Sequence, residues 1–150
     1  MRYADTLAPV LTTGFTGVLT EDAGVPFHEL QAEQIQLFRE AWAAAGHERE
    51  PRVSVSRSIF PIVDDRDRAY FGRDARDRDQ IGFIDTNTRA IFGRSYAGEP
   101  DVLLKELASD EAIAAADTLL VTVPNTLGVD YNAHVIERIL KHLAPELGWR

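Results

Sequence analysis

Residues Ala116-Asp-Thr-Leu-Leu-Val-Thr-Val-Pro124, followed after a polar corner by Tyr131-Asn-Ala-His-Val-Ile-Glu-Arg-Ile-Leu-Lys-His-Leu-Ala-Pro145-Glu-Leu-Gly-Trp149, decide the fold class. They read as a strand, a loop and an amphipathic helix. The run Leu119–Val123 is too short to cross a membrane and too apolar for a half-exposed strand. Cover on both faces is expected, which points to a parallel sheet flanked by helices. In the helix, Val135, Ile136, Ile139, Leu140 and Leu143 form one apolar face. The loop Asn125-Thr-Leu-Gly-Val-Asp130 leaves the C-terminal end of the strand, where α/β proteins bind ligands.

The same alternation runs upstream. Residues 10–20, Val-Leu-Thr-Thr-Gly-Phe-Thr-Gly-Val-Leu-Thr, suit a strand, weakened at Gly14 and Gly17. Pro26 fits a first helical turn. From Phe27 to Ala45 the apolar positions Phe27, Leu30, Leu37, Phe38, Ala41, Trp42 and Ala45 follow helical spacing, with Gln31, Glu33, Gln36, Arg39 and Glu40 mostly opposite, and Gly46 as the stop. A second strand, Arg52–Val63, alternates: Val53, Val55, Arg57 and Ile59 share one face, and Ser54, Ser56 and Ser58 the other. Strand-helix, strand-insertion-helix, strand-helix implies right-handed crossovers and parallel pairing of the three strands, with helices near 27–45, 99–109 and 131–146.

Residues 64–97 break this rhythm. Asp64-Asp-Arg-Asp-Arg68 and Arg73-Asp-Ala-Arg-Asp-Arg-Asp79 mix both signs densely, and they read as a solvated insertion. Phe71, Ile81, Phe83, Ile84, Ile91 and Phe92 are the residues available to pin it to the body. Gly98-Glu-Pro100 then starts a helix whose apolar side is Val102, Leu103, Leu104 and Leu107.

The 150 residues are expected to form a single domain, and a hydrophobic fraction of 45% supports a packed core. With 24 acidic against 16 basic side chains, the net charge of −8 argues against nucleic-acid binding. The absence of cysteine excludes disulfides, a thiol nucleophile and a cysteine zinc cluster. No apolar run reaches about 18 residues and the N-terminus lacks a signal-peptide core, so a soluble cytoplasmic protein without membrane contact is expected. Neither GxGxxG nor a P-loop occurs.

Few side chains stand out as chemistry. Arg57 on an apolar strand face needs a partner, either an anionic ligand or a carboxylate such as Glu21 or Asp64. Arg94-Ser95, ahead of the helix that starts near Gly98, suits either an anion at free backbone N–H groups or a salt bridge. His28, His47, His134 and His142 show no metal-ligand spacing and read as surface histidines. No nucleophile–base pair stands out, so no catalytic residue is assigned.

Several segments together carry a family resemblance. Val25-Pro-Phe-His-Glu-Leu-Gln-Ala-Glu-Gln-Ile35, Phe38-Arg-Glu-Ala-Trp42, Pro51-Arg-Val-Ser-Val-Ser-Arg-Ser58, Phe92-Gly-Arg-Ser-Tyr-Ala-Gly98 and Ala116-Asp-Thr-Leu-Leu120 through Gly148-Trp149 resemble, in this order, the C-terminal part of luciferase-like flavin-dependent monooxygenases. The resemblance spans roughly residues 18–150. It implies an α/β fold made of the last three β/α units of a TIM barrel, with residues 64–97 as a charged insertion. A full barrel takes about 250 residues, so the expectation is a truncated member acting on a small organic substrate, or a non-catalytic binding or assembly module derived from one. The resemblance also implies FMN or the deazaflavin F420 as cofactor, with Thr20, Ser56, Arg57, Ser58 and Asn125 near it. Thr20 would either bond a ring edge or cap its turn. A slice of a barrel leaves open sheet edges and uncovered apolar surface, which implies a homo-oligomer or a complementary half-barrel chain.

Overall fold

The computed structural model describes residues 18–19, 24–72, 79–83, 89–124 and 126–149. The elements are β1 (Val18–Leu19), α1 (Phe27–Ala44), β2 (Ser54–Pro61), α2 (Asp65–Phe71), β3 (Asp79–Phe83), β4 (Arg89–Gly98), α3 (Pro100–Ala108), α4 (Glu111–Ala115), β5 (Thr118–Thr122) and α5 (Val129–His142). The sheet order is β1-β4-β2-β5, with β3 also on β4, and β4, β2 and β5 form a parallel open sheet. No described helix is long and apolar enough to cross a membrane.

Parallel pairing is therefore observed, but with a different third strand. The expected first strand lies mostly outside the described residues. Its described part, β1, pairs antiparallel with β4 through Val18–Ile91 and Leu19–Ala90. Besides β5, the strand that pairs in parallel with β2 is β4, inside the segment read as a charged insertion. That segment contains α2, β3 and β4. Its charges obscured the pattern because arginines at 89 and 94 interrupt the apolar run of β4.

The chain divides into two compact units, and the division falls within β2, β4 and β5. In the first unit (residues 1–56, 79–93 and 110–120), α1 packs against α4. Its core is Ile35, Val53, Val55 and Ala112, with Phe38, Ile113, Ala115, Ala116 and Leu119 against them. A second cluster joins Phe27, Ile91 and Leu30. Asp110 caps α4 by accepting from the Ile113 N–H. The α1 stripe is rotated from its expected position: Phe27, Gln31, Gln34 and Ile35 are buried, while Leu37 and Ala41 are exposed. Trp42 is half-buried, its indole N–H donating to the Arg49 carbonyl and its ring 4.1 Å from that of His47. Gly46, at φ +75°, ends the helix as expected, because this conformation strains any side chain with a Cβ.

In the second unit (residues 57–78, 94–109 and 121–150), Arg57–Pro61 runs beside Arg94–Gly98 in register. Buried Ile59 and Tyr96 face each other in that register, and Leu103, Leu107, Val135, Ile139 and Leu143 are buried in the helical segments. Two expectations about the chain end change here. β5 is not covered on both faces, since Leu120 and Val121 are exposed. It is the last strand in the sheet order, so among the described residues one of its edges has no neighbouring strand. The apolar arc of α5 is also split. Val135, Ile139 and Leu143 are buried, whereas Ile136 and Leu140 face solvent.

Candidate functional site

The most organised polar group in the second unit forms just after the C-terminal end of β2. The chain leaves β2 through Ile62 and Val63 and enters α2 at Asp64. There the Asp64 carboxylate accepts from the Arg66 and Asp67 N–H groups, and Asp67 bonds back in a capping box. Asp-x-x-Asp at a helix start satisfies free backbone donors, so the charge run around it forms a helix in which Asp67 is buried while Asp64, Asp65, Arg66 and Arg68 stay exposed, as expected of a solvated run. Asp67 is 1% exposed. Its Oδ2 accepts from the Val63 and Asp64 N–H groups at 3.0 and 3.3 Å. Its Oδ1 accepts from the Tyr131 hydroxyl at 2.7 Å and lies 2.9 Å from His134 Nε2.

Tyr131 and His134 stand on α5, the helix that follows β5, three positions apart and so on adjoining faces. Gly128 before α5, at φ +80°, turns the chain into the helix. Other rings pack on or near Tyr131. Tyr70 lies edge-on to Tyr131 with centroids 4.9 Å apart, Phe60 stacks on Phe71 at 4.1 Å, and the Arg66 guanidinium lies 4.7 Å from the centre of the Tyr131 ring.

The electrostatics follow from this packing. Burial pushes the Asp67 carboxyl up, but hydrogen bonds from Tyr131, the Val63 N–H, His134 and the Asp64 N–H outweigh it, so the group stays below its ordinary value. The Tyr131 hydroxyl is pushed well above the phenol range, first by burial and then by its bond to Asp67. The result is a buried carboxylate held ionised by a neutral phenol and an imidazole.

Asp64, Asp67 and His134 each offer one ligand atom, and these atoms all lie within 4.8 Å of one another. A divalent ion there would replace the proton between His134 and Asp67 and compete with Tyr131 at Oδ1. As it stands, every lone-pair direction of Asp67 is used, which suits a structural node and a proton-holding dyad.

The residues expected near a cofactor are placed unevenly. Thr20 and Asn125 lie outside the described residues. Ser56 is half-buried at the end of the first unit's part of β2. In the second unit Arg57 is 1% exposed, on the same strand face as Ile59 as expected. Ser58 is buried, its hydroxyl 2.6 Å from that of Thr122 on β5. Arg94 is not in a loop ahead of a helix. It lies within β4, in register with Arg57, so two arginines stand side by side across the parallel pair. Its guanidinium lies 5.3 Å from the Tyr96 ring centre, and its buried Nε has no hydrogen-bond partner. His134 is not a surface histidine: its side chain is 19% exposed and bonded to Asp67. Nothing in the spacing of Asp67, Tyr131 and His134 joins them, so sequence reasoning does not find them as a group.

No family model, curated protein or solved structure matches the chain.

Proposed function

We propose that the chain supplies the last β/α units of a luciferase-like flavin-dependent oxidoreductase barrel, a monooxygenase acting on a small organic substrate. The observation that carries this reading is the meeting of Asp67 and the pair Tyr131–His134. The helices following β2 and β5 join there through one buried carboxylate, beyond the strand ends where parallel α/β folds hold ligands. The ordered segments resembling that family support the same reading.

A flavin fits the residues present in one respect. The buried Arg94 Nε–H lacks an acceptor, and a flavin carbonyl or phosphate oxygen supplies one. Arg94 and Ser58 would hold the cofactor from β4 and β2, with Arg57 adding positive charge beside them. FMN or F420, when bound, supplies the redox chemistry. The protein's part is to position it and to keep the His134–Asp67 dyad ready to hold a proton at the imidazole. Titrating oxidised FMN and F420 with the protein tests the reading. Quenching of cofactor fluorescence is expected, with affinity weaker by about 10-fold or more in Arg94→Ala. No quenching by the wild type up to about 1 mM protein, alone or with a chain supplying the other strands, would sink it.

A second reading, a non-catalytic binding or assembly module, is favoured by the exposed Leu120 and Val121 on edge strand β5. Self-association or capture of a complementary barrel chain without any flavin binding would select it.

A further inference from the structure

The helix α5 carries two apolar stripes, although one is enough for a helix that packs on a single body. Tyr131, Val135 and Ile139 form the buried stripe. Val129, Ala133, Ile136 and Leu140 form the other, within an arc of about 60° at roughly 100° per residue. Val129 is 84% exposed, Ile136 44% and Leu140 63%. Ala133, Ile136 and Leu140 line a shallow groove bordered by Glu137 and Lys141. These two have the spacing of a favourable intrahelical pair. Yet among the described residues neither side chain forms an ion pair or a hydrogen bond.

We propose that this stripe is a self-association surface, and that its occupant is α5 of a second copy packed antiparallel. The charges argue for that occupant. A two-fold contact lays a patch on itself. With the axis crossing the stripe between Arg138 and Ile139, Glu137 of each copy faces Lys141 of the other, and Ile136 meets Leu140. A parallel arrangement would put the Glu137–Lys141 flanks of the two copies on opposite sides of the seam, where neither charge finds its opposite across it. The patch is thus complementary to its own antiparallel image in sign.

The association is weak. A helix of 14 residues is about 21 Å long. One such contact buries less than the roughly 800 Å² per partner of a standard stable interface. The net charge of −8 on each copy also opposes it. The inference does not rest on the flavin reading, since the test uses the chain without cofactor.

Sedimentation equilibrium of the full chain should show the weight-average mass rising from monomer toward dimer between about 10 µM and about 1 mM. Leu140→Glu should stay monomeric across that range with unchanged circular dichroism and melting. Glu137→Lys should also stay monomeric, because the introduced ammonium then meets Lys141 of the second copy. Adding Lys141→Glu to it should restore the dimer, an effect that mere loss of folding cannot mimic. A wild-type chain monomeric at about 1 mM, a dimer that survives Leu140→Glu, or a charge swap that fails to restore association would each overturn the proposal.

Discussion

The hydroxyl of Tyr131 donates to the Asp67 carboxylate over 2.7 Å, joining residues 64 positions apart. A buried carboxylate held this way depends on each of its donors. Tyr131→Phe keeps the ring but removes a bond to a charged acceptor, and should cost about 1.5–3 kcal/mol in urea unfolding. Tyr70→Phe, at an exposed neighbour, should change stability by less than about 0.5 kcal/mol. Equal losses from the two would show that Asp67 gains nothing from Tyr131.

Stability should depend on pH at both extremes, with opposite signs at the two groups. The Asp67 carboxyl is depressed in the folded state, so its contribution is present above the ordinary aspartate value and is lost as pH falls through the lower folded one. The Tyr131 hydroxyl is raised, so its contribution is intact below the ordinary phenol value near about pH 10 and is lost progressively above it. Thermal melts should fall off below about pH 4 and above about pH 10. Asp67→Asn should flatten the acid limb. An acid limb unchanged in that variant would place the sensitivity elsewhere.

Asp117 ties the starts of β2 and β5 together. It accepts from the Val53 N–H at 2.8 Å and from Arg39 at 3.0 Å, and its own N–H donates to the Val53 carbonyl. The Val53 N–H holds its carboxyl below the ordinary aspartate value, burial opposes that shift, and Arg39 adds to it. Asp117→Ala should cost about 1–3 kcal/mol by stranding the Val53 N–H. Arg39→Ala should cost less than about 1 kcal/mol, because that ion pair is exposed. The reverse order in denaturant titrations would reject this ranking.

Trp42 sits half out of the core, yet its indole N–H is bonded and its ring is flanked by Phe38 and His47. A fully buried tryptophan cut to alanine costs about 3–5 kcal/mol. Trp42→Ala should cost about half that, near 2 kcal/mol, and should leave most of the tryptophan fluorescence change on unfolding to be reported by Trp149. A loss under about 1 kcal/mol would mean the ring only lies on the surface.

Local chemistry is legible in this sequence. Phe27–Ala44 is a helix because apolar residues recur at helical spacing and Gly46 can adopt the conformation that stops it. Arg52–Val63 reads as a strand by alternation, and Val53, Val55, Arg57 and Ile59 are all buried. Alternating helices and strands implied the parallel pairing. These features depend on a few neighbouring residues, so periodicity and turn chemistry suffice.

The tertiary structure decided the rest, because those choices depend on partners far along the chain. The arc Val135, Ile136, Ile139, Leu140 and Leu143 is wider than one packing surface, so only contact with the body could decide that Ile136 and Leu140 stay outside. β4 joined β2 in register although its own arginines hid it, since backbone hydrogen bonds pair strands whatever the side chains spell. Asp67 became a buried node only when α5 brought Tyr131 and His134 to it, 64 and 67 positions away. The sequence alone determined which segments could be helix or strand. The long-range burial of a charge, which needs donors from distant elements, belonged to the fold.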